Sequence, residues 1–446
     1  MIHQVKLPDI TKQRLSEVVS IQMALLSYAA SESSQDLSEE RCVAYLQANS
    51  FDVIKQGRSR NIAQWIWSLK ERREPLIGFA AGPFEEKCRL VERLQYETQL
   101  LSAQASPRGI VNIVDIPRNS HRNRGVSRRN QEKSWQEQGA DFLRRFYYEL
   151  SKTKLPKYLF SESGAGEFSR QAFLRAFLAD NKALYVCPVC DESGSYTSSG
   201  REIYTDIEHY FPQSKYPHFA CHPYNLIPIC HLCNSAIHGD KDPLQPVESS
   251  TRLQLQDIVL PYRDLSLGNV TRLNITLDNA AQSATFDSLV STVTGNSYRT
   301  QIDSFAWMYK IPGRWNMHND IDKVGETLFR RMRQFFRGSH ELPIGDSPES
   351  VWPVLQYALY QIVYSLHTEG EEGYEGGDFG KDPYAFAMKW LLVTMLNEET
   401  LLAGQDDPSR IHLPLLNELA RWLGQDMNDK DEYIACAEAL INMLGE

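Results

Sequence analysis

Four cysteines fall in two C-x-x-C pairs, Cys187 with Cys190 and Cys230 with Cys233. Each pair can turn two thiolates toward one point, and two pairs supply the tetrahedral set that Zn²⁺ prefers. The interval between them is longer than in a simple zinc ribbon, so something must be folded inside it. Gly194, Gly200, Ile203, Tyr204 and Ile207 are patterned there like a β-hairpin ending at His209. Glu208 stands directly before that histidine, Asn225 follows in the same run, Asn234 comes directly after Cys233, and His238 lies four residues later. A carboxylate, imidazoles and carboxamides gathered this closely are the materials of proton transfer and of hard-cation binding.

The order C-x-x-C, carboxylate-His, Asn-Leu, then C-x-x-C followed by Asn resembles the ββα-metal HNH endonucleases. Glu208-His209, Asn225 and Asn234 occupy the three motif positions, and the flanking IEHYFP and GDKDPL are similar to HNH proteins of restriction and anti-phage systems. Several spaced elements must coincide for this match, which covers roughly one seventh of the chain. The resemblance implies hydrolysis of phosphodiester bonds in nucleic acid, DNA ahead of RNA, within a defence system. It also implies that Asn225 holds the loop carrying His209 through main-chain hydrogen bonds. His209 is the candidate base, since a neutral imidazole with a pKa near about 6.5 suits the deprotonation of water. Glu208 and Asn234 offer oxygen ligands to a catalytic Mg²⁺ or Mn²⁺. Many HNH proteins have Asp at the Glu208 position and His at the Asn234 position, which leaves Asp206 and His238 open as members of the metal set. His238 shares a face with Asn234 if a helix begins at Cys233, and it equally suits a surface histidine at a helix C-terminus before Gly239. His218, His222 and His231 read as loop residues, with Cys221 and His222 a further conceivable metal pair.

These residues need elements to position them. Apolar residues at three-to-four spacing predict helices over residues 10–30, 38–47, 61–72, 84–103, 135–152 and 167–181. Residues 270–293 alternate in part, which predicts a few strands, and helical spacing returns over 298–337 with a break at Pro312 and again from Pro383. Later helices are expected over 413–423 and 432–444, and the acidic, Gly-rich run 369–380 reads as a solvated linker. The expected fold is therefore mainly α with a small α+β insert, a ββα-metal HNH core stapled by zinc and flanked by helical domains. Its parts are a helical domain (1–106), a basic loop or arm (107–133), a helical connector (134–183), the zinc-stapled core (184–246) and a mainly helical region (247–446).

A net charge of −10 argues against a chain that coats nucleic acid, because phosphate binding draws on clustered Lys and Arg. Local clusters override that average. Arg118, Arg122, Arg124, Arg128 and Arg129 lie in a stretch free of carboxylates, which suits either a solvated loop or a segment contacting phosphates. A second group, Arg330, Arg331, Arg333 and Arg337, lies on a helical stretch with Phe329, Phe335 and Phe336, like an amphipathic exterior face. Residues 1–13 lack a secretory h-region and no run of eighteen apolar residues occurs, so a soluble cytoplasmic protein without a membrane partner is expected. Cys42, Cys88 and Cys436 stand singly on helical patterns, as buried thiols of a reducing compartment do. Resemblance to defence nucleases implies a partner such as an ATPase or sensor subunit. The competing reading is a zinc-ribbon module that binds nucleic acid or protein without chemistry, or a scaffold whose insert has lost activity.

Overall fold

The computed structural model describes residues 2–105, 133–161, 166–182, 184–192, 205–245, 252–263, 267–278, 283–292, 298–316 and 384–395. They are mainly helical, with two small antiparallel sheets. No described helix is long and apolar enough to cross a membrane. The basic arm, the Arg330–Arg337 group, Cys436, the acidic linker, residues 193–204 and the helices expected after residue 400 lie outside the described residues. The chain divides into two compact units, one of residues 4–182 and 198–264, the other of residues 1–3, 183–197 and 265–446.

The first unit opens on α1 (Asp9–Ser31), whose buried Leu15, Val18, Gln22, Leu25, Leu26 and Ala29 recur at helical spacing and form one wall of the core. Helix α2 (Glu39–Ala48) begins where the Ser38 hydroxyl accepts from the Arg41 amide at 3.2 Å. After a short turn α3 (Phe51–Ile54), the single helix expected over 61–72 is two: α4 (Arg58–Trp67) and α5 (Lys70–Ala80). Leu69 is extended between them, and Arg72 donates to the Trp65 carbonyl at 2.9 Å, satisfying an acceptor released at the end of α4. Helices α6 (Phe84–Ala105) and α7 (Trp135–Lys152) follow, the second started by a reciprocal Ser134–Glu137 capping box. A Cβ on Gly139 would stand 2.7 Å from the Phe79 ring, so glycine is what lets α7 approach α5 closely.

Lys87, 2% exposed, is fastened into this bundle by three carbonyls. Its ammonium donates to Ala29 at 3.1 Å, Glu32 at 2.8 Å and Ala80 at 2.7 Å, gathering the ends of α1 and α5 onto α6. Helix α8 (Arg170–Asp180) leads to the strands β1 (Asp206–His209) and β2 (Leu226–Ile229). They pair antiparallel with Asp206 opposite Ile229 and His209 opposite Leu226. The loop joining them is packed by its own aromatics, with Phe211 against Tyr216 at 5.4 Å and Phe219 at 5.5 Å. A π-wound turn, Leu232–His238, follows β2.

In the second unit, the strands expected over 270–293 are the hairpin β3 (Thr271–Asp278) and β4 (Ser283–Ser291). Helices α10 (Arg299–Tyr309) and α11 (Ala385–Met395), together with the short α9 (Leu267–Val270), cover it. Trp315, fully buried, donates its indole N–H to the Cys190 carbonyl at 3.0 Å. Asp191, in the left-handed region at φ 59°, accepts from the Phe386 amide at 2.6 Å and lies 2.6 Å from His3 Nε2. These bonds fix the turn of the first cysteine pair from behind.

Candidate metal centre and hydrolytic site

Among the described residues, Cys187, Cys190, Cys230 and Cys233 are all buried, and their sulfurs lie within 4.8 Å of one another, close enough to hold a metal ion. A tetrahedral Zn²⁺ with Zn–S bonds of about 2.3 Å needs sulfurs about 3.8 Å apart, so the set fits such an ion. Each pair sits in a tight turn: the Asp191 amide donates to the Cys187 carbonyl at 3.0 Å, and the Cys233 amide points to the Cys230 sulfur at 3.5 Å. No other group of three or more His, Cys, Asp or Glu ligands stands this close among the described residues.

Side chains alternate along a strand, so Asp206 and Glu208 emerge from one face of β1. Glu208 is 3% exposed and its carboxylate meets Nδ1 of His238, itself 1% exposed, across the hairpin. Burial pushes the Glu208 carboxyl above its usual range, and His238 opposes that shift. Asn234 is placed elsewhere: its amide donates to Asp206 at 3.0 Å, on the same carboxylate oxygen that His231 Nδ1 approaches at 2.7 Å. Of the set that the resemblance left open, the folded turn brings His238 to Glu208 and Asn234 to Asp206.

His209 Nε2 lies 3.0 Å from the Ala220 carbonyl. A carbonyl only accepts, so the proton sits on Nε2 and the neutral ring keeps its lone pair on Nδ1. The Tyr147 ring, presented by α7, packs edge-on at 4.1 Å, while its hydroxyl donates to the Ile207 carbonyl at 3.3 Å. Burial holds the His209 imidazole down at about 4, the Ala220 bond opposes the shift, and nearby His238 adds to it. Asn225, fully buried, keeps Ala220 in place by stapling the loop. Its side chain accepts from the Phe211 amide at 2.6 Å and donates to the carbonyls of Phe211 at 3.1 Å and Phe219 at 2.9 Å.

The loop is also held from outside by α6, in a way the spacing did not suggest. His218 Nε2 lies 2.8 Å from Glu97, and His222 Nε2 lies 3.2 Å from the Thr98 carbonyl and 3.0 Å from the Ser102 hydroxyl. His222 is not set beside Cys221 as a metal pair; its Nδ1 accepts from the Tyr224 amide at 3.3 Å. With one nitrogen donating and the other accepting, His222 is built to be neutral, and burial holds it down at about 3. The unfolded chain binds a proton below about 6.5 while the folded chain does not, so stability is complete above that pH and is lost as pH falls toward 3. Urea unfolding should therefore show a loss of about 1 kcal/mol from this residue between pH 6.5 and 5.5. A His222→Gln variant with the same pH slope as the parent would assign that loss elsewhere.

Sequence reasoning missed Tyr147 and the Ala220 carbonyl. A main-chain oxygen leaves no trace in residue types, and Tyr147 reads as one more aromatic on an amphipathic helix. Compared with protein families, curated proteins and solved structures, the chain matches none.

Proposed function

We propose that this chain is a metal-dependent endonuclease of the HNH type, hydrolysing phosphodiester bonds in nucleic acid, DNA ahead of RNA, and serving in anti-phage or restriction-type defence. The observation that carries the reading is an imidazole, His209, held in one tautomer by a main-chain carbonyl beside a buried carboxylate–imidazole pair, Glu208 and His238. A zinc-ribbon binding module has use for the cysteines and none for this arrangement. In this reading Cys187, Cys190, Cys230 and Cys233 hold a structural Zn²⁺, and Glu208 and His238 hold a catalytic Mg²⁺ or Mn²⁺.

The donor set suits the second ion. Mg²⁺ takes one or two carboxylates and completes its shell with water and substrate phosphate, and an imidazole beside the carboxylate widens the choice to Mn²⁺. When bound, such an ion neutralises charge on the phosphoryl and leaving oxygens. His209 Nδ1 takes a proton from the attacking water as the water oxygen bonds to phosphorus and the P–O3′ bond breaks in line, and the leaving O3′ is protonated from solvent. The products are a 5′-phosphate and a 3′-hydroxyl. The Nε2 proton stays on the ring, hydrogen-bonded to the Ala220 carbonyl, throughout, while Tyr147 keeps the ring from turning. Asn225 keeps the loop, and hence the carbonyl, in register.

Plasmid DNA should be cut when Mg²⁺ or Mn²⁺ is supplied and left intact in excess EDTA, with ends that ligate without phosphatase or kinase treatment. Full activity in EDTA, or 3′-phosphate ends, would overturn this mechanism.

A further inference from the structure

Arg170 opens α8, where the Ser169 hydroxyl caps the helix by accepting from the Ala172 amide at 3.2 Å. Its Nη2 donates to the Thr205 carbonyl at 2.5 Å and lies 3.3 Å from the Asp206 carboxylate. The guanidinium is thereby fixed at the start of β1, next to the residue whose side chain shares a strand face with Glu208. Both contacts use one nitrogen. Nε and Nη1 have no partner among the described residues, and the side chain is 33% exposed. The phenol of Tyr147, whose ring packs on His209, lies within electrostatic reach of Arg170, Glu208 and Asp206 alike, which places the guanidinium in the same cluster.

We propose that Arg170 grips a backbone phosphate of the substrate at the site formed by Glu208, His209 and His238; this rests on the nuclease reading. A guanidinium anchored through Nη2 keeps its positive charge and two open donors, Nε–H and Nη1–H, either of which suits a single phosphate oxygen. Tethering α8 to β1 does not require those open donors. Nor does Asp206 depend on Arg170 alone, since Asn234 and His231 already approach its other oxygen. Anchoring also lowers the entropy lost when the contact forms.

The test measures binding of a fluorescent DNA duplex to His209→Ala protein over a salt series, alone and with Arg170→Gln or Arg170→Lys added. Loss of one phosphate contact should weaken binding roughly tenfold and lower the slope of log K against log salt by about one unit. Arg170→Lys should recover the slope and part of the affinity, because it keeps the charge without the anchored guanidinium. In protein with His209 intact, Arg170→Gln should raise KM more than it lowers kcat. Melting temperature and zinc content report the structural alternative: equal losses in the Gln and Lys variants together with a lowered melting temperature would reduce Arg170 to a tether. Unchanged slope and affinity in a chain that still cleaves would overturn the proposal while leaving the nuclease reading standing. A parent chain that binds the duplex without cleaving it would remove the nuclease reading, and the salt slopes would still decide Arg170. A parent chain that binds no nucleic acid overturns both.

Discussion

Protein purified without chelator is expected to hold one zinc per chain, and Cys230→Ser with Cys233→Ser should remove it along with the order of the β1–β2 hairpin. The effect should be large. Structural zinc contributes about 10–16 kcal/mol in small peptides, whereas a whole domain is stable by only about 5–15 kcal/mol. Cys230 directly follows β2 and Cys233 lies within the π-wound turn, so the ion fastens the segment that carries Asn234 and His238. Elemental analysis with limited proteolysis checks this. A double variant without zinc that resists protease like the parent would show the cluster to be dispensable. Cleavage should disappear with the metal, because His238 then loses its fixed place opposite Glu208.

His209→Ala should lower the cleavage rate by about 10²–10⁴-fold, the usual worth of a positioned general base. Zinc content and melting temperature should stay near those of the parent, since the ring makes one hydrogen bond and one aromatic contact. Single-turnover cleavage of a defined duplex separates the chemical step from binding. His209→Ala with full activity would transfer the base role to another group. Asn225→Ala is the informative comparison. It leaves His209 itself untouched but removes three hydrogen bonds from the loop, so a loss of rate there reports the displaced Ala220 carbonyl.

Much of the helical scaffold was legible in the sequence, because long amphipathic segments announce themselves by period. Helix α7 (Trp135–Lys152) begins and ends where its apolar spacing predicts. The segment 61–72 misled because Trp65, Ile66 and Leu69 keep a helical period across a break stabilised by Arg72, a residue that reads as exterior charge. The cysteine pairs were equally plain, since C-x-x-C specifies a turn as well as a ligand. The pairing within the candidate site was not. Whether Asn234 or His238 faces Glu208 depends on the π winding after β2, where the Gly239 amide bonds to the Asn234 carbonyl across five residues. No periodicity argument foresees that local choice.

Lys87 has a bearing on how the helical scaffold responds to its surroundings. Exposed pairs such as Lys70 with Glu74 and Arg89 with Glu85 are charge against charge, and added electrolyte weakens them. The ammonium of Lys87 is held instead by three neutral carbonyl dipoles in a place that ions do not reach. The junction of α1, α5 and α6 should therefore respond less to salt than those exposed pairs do. The proposed grip on a polyanion must slacken as salt rises, so the two can be told apart: salt should loosen what is held before it loosens the holder.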